Sequence, residues 1–235
     1  MSHKNRRIWQ IDFSRGLAVI LMVLFNWSFS LKFLNVFTIS ENWLYWWLLP
    51  RLIGGSFIFL AGISAVINFN KNKSGKKIAY RGLRIFLIGI GITAVTFLAF
   101  PENTIYFGIL HLIGFSLIIS PFFIKNKNLV LLAASIILIA GFQLQSSYFN
   151  FPHLLWLGFG PANFQTFDYW PLMPWFGIFL LGLFFGDFIK NKSPVHEKNY
   201  LIKKICFLGR NSLIIYLGHQ IVLVGIIYMF GFKIF

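Results

Sequence analysis

The side chains that could do chemistry in this 235-residue chain fall into four groups. In the stretch RRIWQIDFSRGLAVILMVLFNWSFSL, Asp12, Arg15, Met22, Asn26 and Ser30 follow one another at spacings of three, seven, four and four. On a helix these positions share one face, and Asp12 and Arg15 can pair at i, i+3. In GRNSLIIYLGHQIVL, Ser212, Tyr216 and His219 share a face in the same way, with Arg210 and Asn211 at its mouth. A polar face running from mouth to middle suits a lined pathway. His111 lies in IYFGILHLIGFS between Gly108 and Gly114, which allow a backbone or a ligand to come close. Asp168 opens a segment that continues through Trp170, Pro171, Pro174 and Trp175, and Arg51 beside Pro50 is a second charge that could pair with it. Histidine is the usual base for an attacking group, and arginine is well suited to phosphate. Each group also has a purely structural reading: a snorkelling Arg, an interhelical Asn, a hydrogen-bonded core His, an aromatic belt, or an Asp that caps a helix.

The elements that must position these residues are membrane helices. The chain is 57% hydrophobic and 11% charged, with 30 Phe and 8 Trp. A soluble domain carries about 25% charged residues, and a disordered chain is poor in aromatics. One cysteine, Cys206, excludes a disulfide scaffold. Apolar stretches of roughly 20 residues predict an all-α, polytopic bundle of about seven transmembrane helices. They cover residues 11–34, 43–69, 81–100, 105–124, 129–145, 169–189 and 205–232. In the fourth, His111 is expected roughly 9 Å inside the outer end, at 1.5 Å per residue. Small residues at 54–56 and 60–65 predict close helix packing. The segment 146–168, with Gly158, Gly160 and Pro161, is long enough to cap a cavity. No internal repeat or soluble insertion interrupts the chain, so residues 1–235 read as a single transmembrane domain.

Formal net charge is +15. In a membrane protein this reflects basic cytoplasmic loops rather than a nucleic-acid partner. Of 21 Lys and Arg, all but Lys32, Arg51 and Lys233 fall on one side of the expected spans. The N-terminus is therefore expected in the cytoplasm and the C-terminus outside. The apolar stretch of the first helix is longer than a usual signal-peptide core and no A-x-A-like site follows it, so it is read as a retained anchor. There is no phosphate loop, dinucleotide fingerprint or zinc motif, and the five His residues are too scattered to argue a metal site.

Five stretches carry a resemblance: IDFSRGLAVILMVLFN (11–26), FIFLAGISAVI (57–67), YFGILHLIGFS (106–116), DYWPLMPWFGIFLLGLFFG (168–186) and GRNSLIIYLGHQIVL (209–223). Together and in this order they resemble the catalytic region of heparan-α-glucosaminide N-acetyltransferase and its small prokaryotic relatives, within the transmembrane acyltransferase superfamily. The resemblance implies transfer of an acetyl or other acyl group from cytoplasmic acetyl-CoA to a hydroxyl or amine, typically of a sugar, at or across the membrane. It implies acetyl-CoA as co-substrate, no metal, and a prokaryotic inner-membrane location. On this reading Arg15 and Arg210 hold the CoA phosphates, while Asn26, Asn211 and Ser212 line the donor pocket. His111 or His219 is the base, with His111 favoured because it lies nearer the outer face. Asp168, Arg51 and Trp175 stand on the acceptor side. The chain departs from its relatives at Asn26, where many have His, at Ser30, where many have Asp, and at loop 35–42, which has no His.

The same polar faces would also suit a transporter or flippase-like binding protein for a lipid-linked or small polar substrate, although seven spans without a repeat argue against a standard inverted-repeat design. A membrane partner without catalysis is a third reading. Phe-rich faces leave room for membrane lipid or for self-association.

Overall fold

A computed structural model describes residues 8–33, 40, 42–145, 149, 153–161, 164–189 and 199–229. His3, His196, most of loop 35–42 and the terminal basic residues Lys4, Arg6, Arg7 and Lys233 lie outside these residues. Among the described residues all regular structure is helical: α1 (Trp9–Phe33), α2 (Leu49–Asn72), α3 (Gly75–Ala99), α4 (Ile109–Phe123), α5 (Lys127–Gln145), α6 (Leu172–Ile189), α7 (Tyr200–Arg210) and α8 (Ser212–Met229). A π-helical turn, Leu44–Leu48, leads into α2, and a 3₁₀ turn, Pro101–Asn103, follows α3. Among the described residues six segments are long and apolar enough to cross a membrane, and their outward sides are rich in Leu, Ile and Phe. Tertiary contacts divide the chain into two compact units, Met1–Phe57 with Lys192–Phe235, and Ile58–Asn191.

In the first unit, α1 packs on α7 and α8. The α1–α7 contact is made backbone to backbone. A side chain on Gly209 would run into the Asp12 carbonyl, and one on Gly16 would run into the Ile205 carbonyl. Buried Ala18, Val19 and Met22 continue the packed face of α1, and His219, Leu223 and Ile227, spaced by four, form that of α8.

The seventh expected span, 205–232, is two helices. Asn211 leaves helical geometry at φ −100°, ψ 17°. Its side-chain amide donates to the Phe207 carbonyl at 2.9 Å, satisfying a group that the helix end leaves open. With Lys203, Lys204 and Arg210 along it, α7 is too polar and too short to span. Ile202, Ile205, Cys206 and Gly209 turn inward while Lys203, Lys204 and Phe207 turn out.

In the second unit, the expected small-residue packing is present. A side chain on Gly62 of α2 would meet the Phe179 carbonyl of α6, and one on Gly182 would meet the Phe59 carbonyl. Helix α3 packs on α4, and α5 on α6. The fourth expected span began at 105, but α4 starts at Ile109 and has 15 residues. Residues 104–108 are irregular, and protein groups meet several of their backbone groups, as a membrane favours. The Ile105 N–H donates to Thr96 Oγ1 at 3.1 Å, and the Thr104 carbonyl accepts from Thr166 Oγ1 at 2.7 Å. The Trp170 N–H donates to the Phe107 carbonyl at 2.9 Å. In α6, Met173 is extended at φ −99°, ψ 125°. Pro174 disfavours helical geometry in the residue before it, so regular helix begins only after Met173.

Candidate functional site

The candidate residues gather into two clusters, one in each unit. In the first unit, Asp12 and Arg210 meet although they are 198 positions apart: Arg210 Nε donates to Asp12 Oδ2 at 3.1 Å. The glycine contact of α1 with α7 sets this pair. Asp12 is nearly buried, whereas the Arg210 side chain is 46% exposed. Asp12 therefore aims the guanidinium through Nε, and among the described residues no other ion pair of Arg210 is seen. Arg210 is thus a partner of Asp12 that the i, i+3 spacing to Arg15 does not suggest. Arg15 is partly buried, and Asn26 and Ser30 lie further along α1, also partly buried. Ser30 Oγ donates to Gln220 Oε1 at 3.2 Å, and the Trp27 indole donates to the His219 carbonyl at 3.2 Å. These two bonds bind α1 to the middle of α8. Ser212 opens α8, and the Tyr216 ring lies 6.0 Å from the His219 ring.

His219 is 7% exposed. Its Nδ1 lies 2.7 Å from the Tyr216 carbonyl and 3.1 Å from the Ile215 carbonyl. Carbonyls only accept, so Nδ1 carries the proton and Nε2 carries the lone pair. That Nε2 is buried and, among the described residues, has no hydrogen-bond partner. A buried polar atom left bare is uncommon and calls for a reason.

His111 is arranged in the opposite way. It is not deep in its helix, as the expected start at 105 implied, but in the first turn of α4. The Gly108 N–H donates to His111 Nδ1 at 3.2 Å, so Nδ1 is the acceptor and the proton sits on Nε2. Nε2 lies 3.3 Å from Thr93 Oγ1, and that hydroxyl donates onward to the Ile105 carbonyl at 2.6 Å. The ring stacks on Phe107 and meets Phe86 edge-on, each at 5.5 Å between centroids. Both ring nitrogens are thus occupied.

Asp168 joins His111 at the same helix end. Gly108 precedes the first turn and has no side chain with which to cap it. The Asp168 carboxylate occupies the space where that side chain would stand. Its Oδ2 accepts from the Ile109 N–H at 2.9 Å, and its Oδ1 accepts from the Trp170 indole at 2.5 Å. The helix N-terminus favours this charge. Trp175 packs against Trp170 at 4.4 Å. Tyr169 donates to the Leu155 carbonyl at 2.8 Å, and burial pushes its hydroxyl up to about 12. Beyond this cluster an open cleft of about 790 Å³ is lined by Glu102, Tyr106, His153, Leu155, Pro161, Phe164 and Gln165. The expected cap 146–168 supplies most of its wall, but neither His111 nor His219 lines it.

In the first unit, Arg51 lies over the Trp47 ring at 4.1 Å and donates to the Trp47 carbonyl at 2.9 Å. Among the described residues no three His, Cys, Asp or Glu side chains gather as a metal site. Thr93, Trp27, Gln220 and Glu102 carried no sequence signal, because each is an ordinary polar letter whose partner is distant in the chain.

A fold of several long apolar helices, carrying buried ionisable groups on their packed faces, defines a multi-pass integral membrane protein. The sequence matches the family described as heparan-alpha-glucosaminide N-acetyltransferase, catalytic, over residues 7–221. The chain belongs to that family, and with it to the membrane acetyltransferases. No curated protein and no solved structure matches it.

Proposed function

We propose that the chain transfers an acyl group from an acyl-CoA, most simply acetyl-CoA, to a hydroxyl or amine of a sugar-type acceptor. The buried, unpartnered Nε2 of His219 carries this reading. Two backbone carbonyls hold the ring in the tautomer that a base needs. Nε2 takes the proton of the acceptor as its oxygen or nitrogen attacks the thioester carbon. The tetrahedral intermediate then expels the CoA sulfur, and the imidazolium returns the proton to it. His111, whose lone pair is taken by the Gly108 N–H, is assigned to positioning instead.

Arg210, aimed by Asp12, and Arg15 are assigned to the CoA phosphates, whose geometry a planar guanidinium fork matches. Asn26, Asn211 and Ser212 are the polar groups of the donor side. Asp168 holds the end of α4, and Trp175 remains on the acceptor side. The basic helix ends are placed in the cytoplasm, which puts α7 at the inner surface and the acyl-CoA with it. Seven spans, with α4 as the short one, complete the arrangement, and a prokaryotic inner membrane fits the chain's size.

The test is calorimetric titration of the detergent-purified protein with acetyl-CoA. Saturable binding is expected, weakened at least tenfold in Arg210→Ala and in Arg15→Ala. Absence of binding by folded wild type would remove the donor and favour a transporter that uses the same faces.

A further inference from the structure

Away from the acyl-transfer cluster, the start of α2 carries a cation, Arg51, that no carboxylate among the described residues neutralises. Arg51 belongs to a continuous apolar segment, Leu44–Asn72, of 29 residues. At 1.5 Å per residue this is about 43 Å long, more than the roughly 30 Å hydrocarbon core of a bilayer. The surplus places its ends in the headgroup layers. Arg51 stands about two turns in and reaches back toward the end, with its guanidinium over the Trp47 ring at 4.1 Å and one N–H on the Trp47 carbonyl. Among the described residues no carboxylate meets it. An intramembrane charge normally has a partner, and four of the five guanidinium N–H donors remain for one.

The surroundings fit an external partner. Trp43 stacks on Trp47 at 4.7 Å and 17°, and the two rings are 59% and 41% exposed. Lys32 at the end of α1 stands over Trp46 at 4.4 Å. Lys32 and Arg51 are the cations expected at this surface among the described residues, and both sit on this one Trp cluster. The backbone beneath it is the π-helical turn Leu44–Leu48, a local irregularity that recurs at functional sites. It sets Trp43 and Trp47, four positions apart, on adjacent turns, so that their rings stack.

We propose that Arg51, with the Trp43–Trp47 stack, is a binding site for the phosphodiester of a phospholipid in its own leaflet. The guanidinium binds the phosphate oxygens, and the exposed indoles pack on the glycerol and the upper acyl chains, where Trp is favoured. Negative phosphate is the one abundant anion at that depth. The site does not depend on the chain transferring acyl groups.

The experiment uses the full-length protein in detergent. It is titrated with phosphatidylglycerol, phosphatidylcholine and a diacylglycerol of the same chains, and retained lipid is read by native mass spectrometry. Both phospholipids are expected to outlast diacylglycerol at least tenfold, and Arg51→Gln should lower phospholipid retention at least fivefold. Millimolar inorganic phosphate should displace neither. Equal retention by Arg51→Gln, or by diacylglycerol, would overturn the site, and displacement by inorganic phosphate would make it a soluble-anion site instead. Should Arg51→Gln not fold, Trp47→Leu gives the same reading: weaker retention is expected, and unchanged retention contradicts the proposal.

Discussion

Replacing His111 separates a clamp from a base, and the structure ranks the replacements against hydrophobicity. His111 is 4% exposed and lies among Phe86, Phe107 and Gly89. Burial alone would rank leucine above glutamine there. The hydrogen bonds reverse this order. Leucine leaves the buried Gly108 N–H without an acceptor, at a cost of about 1–3 kcal/mol. Thr93 loses less, because its hydroxyl still donates to the Ile105 carbonyl. Glutamine at the third position of a helix reaches back to the N-cap N–H in the ordinary capping box, and its amide can still donate toward Thr93. His111→Gln should therefore be more stable than His111→Leu by about 1–3 kcal/mol. For a chain of this size that is about 2–12 °C in unfolding midpoint. Thermal unfolding in detergent, followed by tryptophan fluorescence, measures it. If His111→Leu unfolds at the same temperature as His111→Gln or higher, the clamp reasoning is wrong.

Three further outcomes follow from the same packing. Asp168→Ala should cost about 1–3 kcal/mol, because it strips the acceptor from the Ile109 N–H and the Trp170 indole; an unchanged midpoint would show that the carboxylate is not the cap. Gly209→Ala should cost a similar amount by pushing α7 off α1, and calorimetry should show acetyl-CoA affinity falling with it, since the Asp12–Arg210 pair depends on that contact. Tyr169, raised to about 12 by burial, titrates at about 10 once unfolded. Below pH 10 both states keep the proton and the stabilisation is complete. Between pH 10 and 12 the unfolded chain ionises first, so stability falls. A stability profile of Tyr169→Phe should lack that alkaline loss, and an identical profile would argue against it.

Much of this architecture is legible in the letters, since hydropathy alone locates the long helices to within a few residues. What it misplaces are the breaks. Gly209 and Asn211 are ordinary helix-end letters, yet apolar residues on both sides carry the pattern straight through, so α7 and α8 read as one span. Likewise Tyr106 and Phe107 are apolar and extend α4 backwards, although Pro101 and Gly108 mark where regular structure stops and restarts. That error put His111 too deep in its helix. The resemblance drew attention to both histidines, but nothing in the sequence separates them. Their difference is one of tautomer, set for His219 by carbonyls of its own helix and for His111 by the Gly108 N–H and by Thr93 on another helix. Likewise the Asp12–Arg210 pair is invisible along the chain, because the glycine contact of α1 with α7 creates it.

The most direct test of the central claim is CoA thiol release from acetyl-CoA by the purified protein with an amino-sugar acceptor, comparing wild type, His219→Gln and His111→Gln. Removing a general base costs about 10²–10⁴-fold. The account predicts that loss in His219→Gln, with acetyl-CoA still bound, and a rate within a few-fold of wild type in His111→Gln. The reverse pattern, with His219→Gln active and a folded His111→Gln dead, would contradict it.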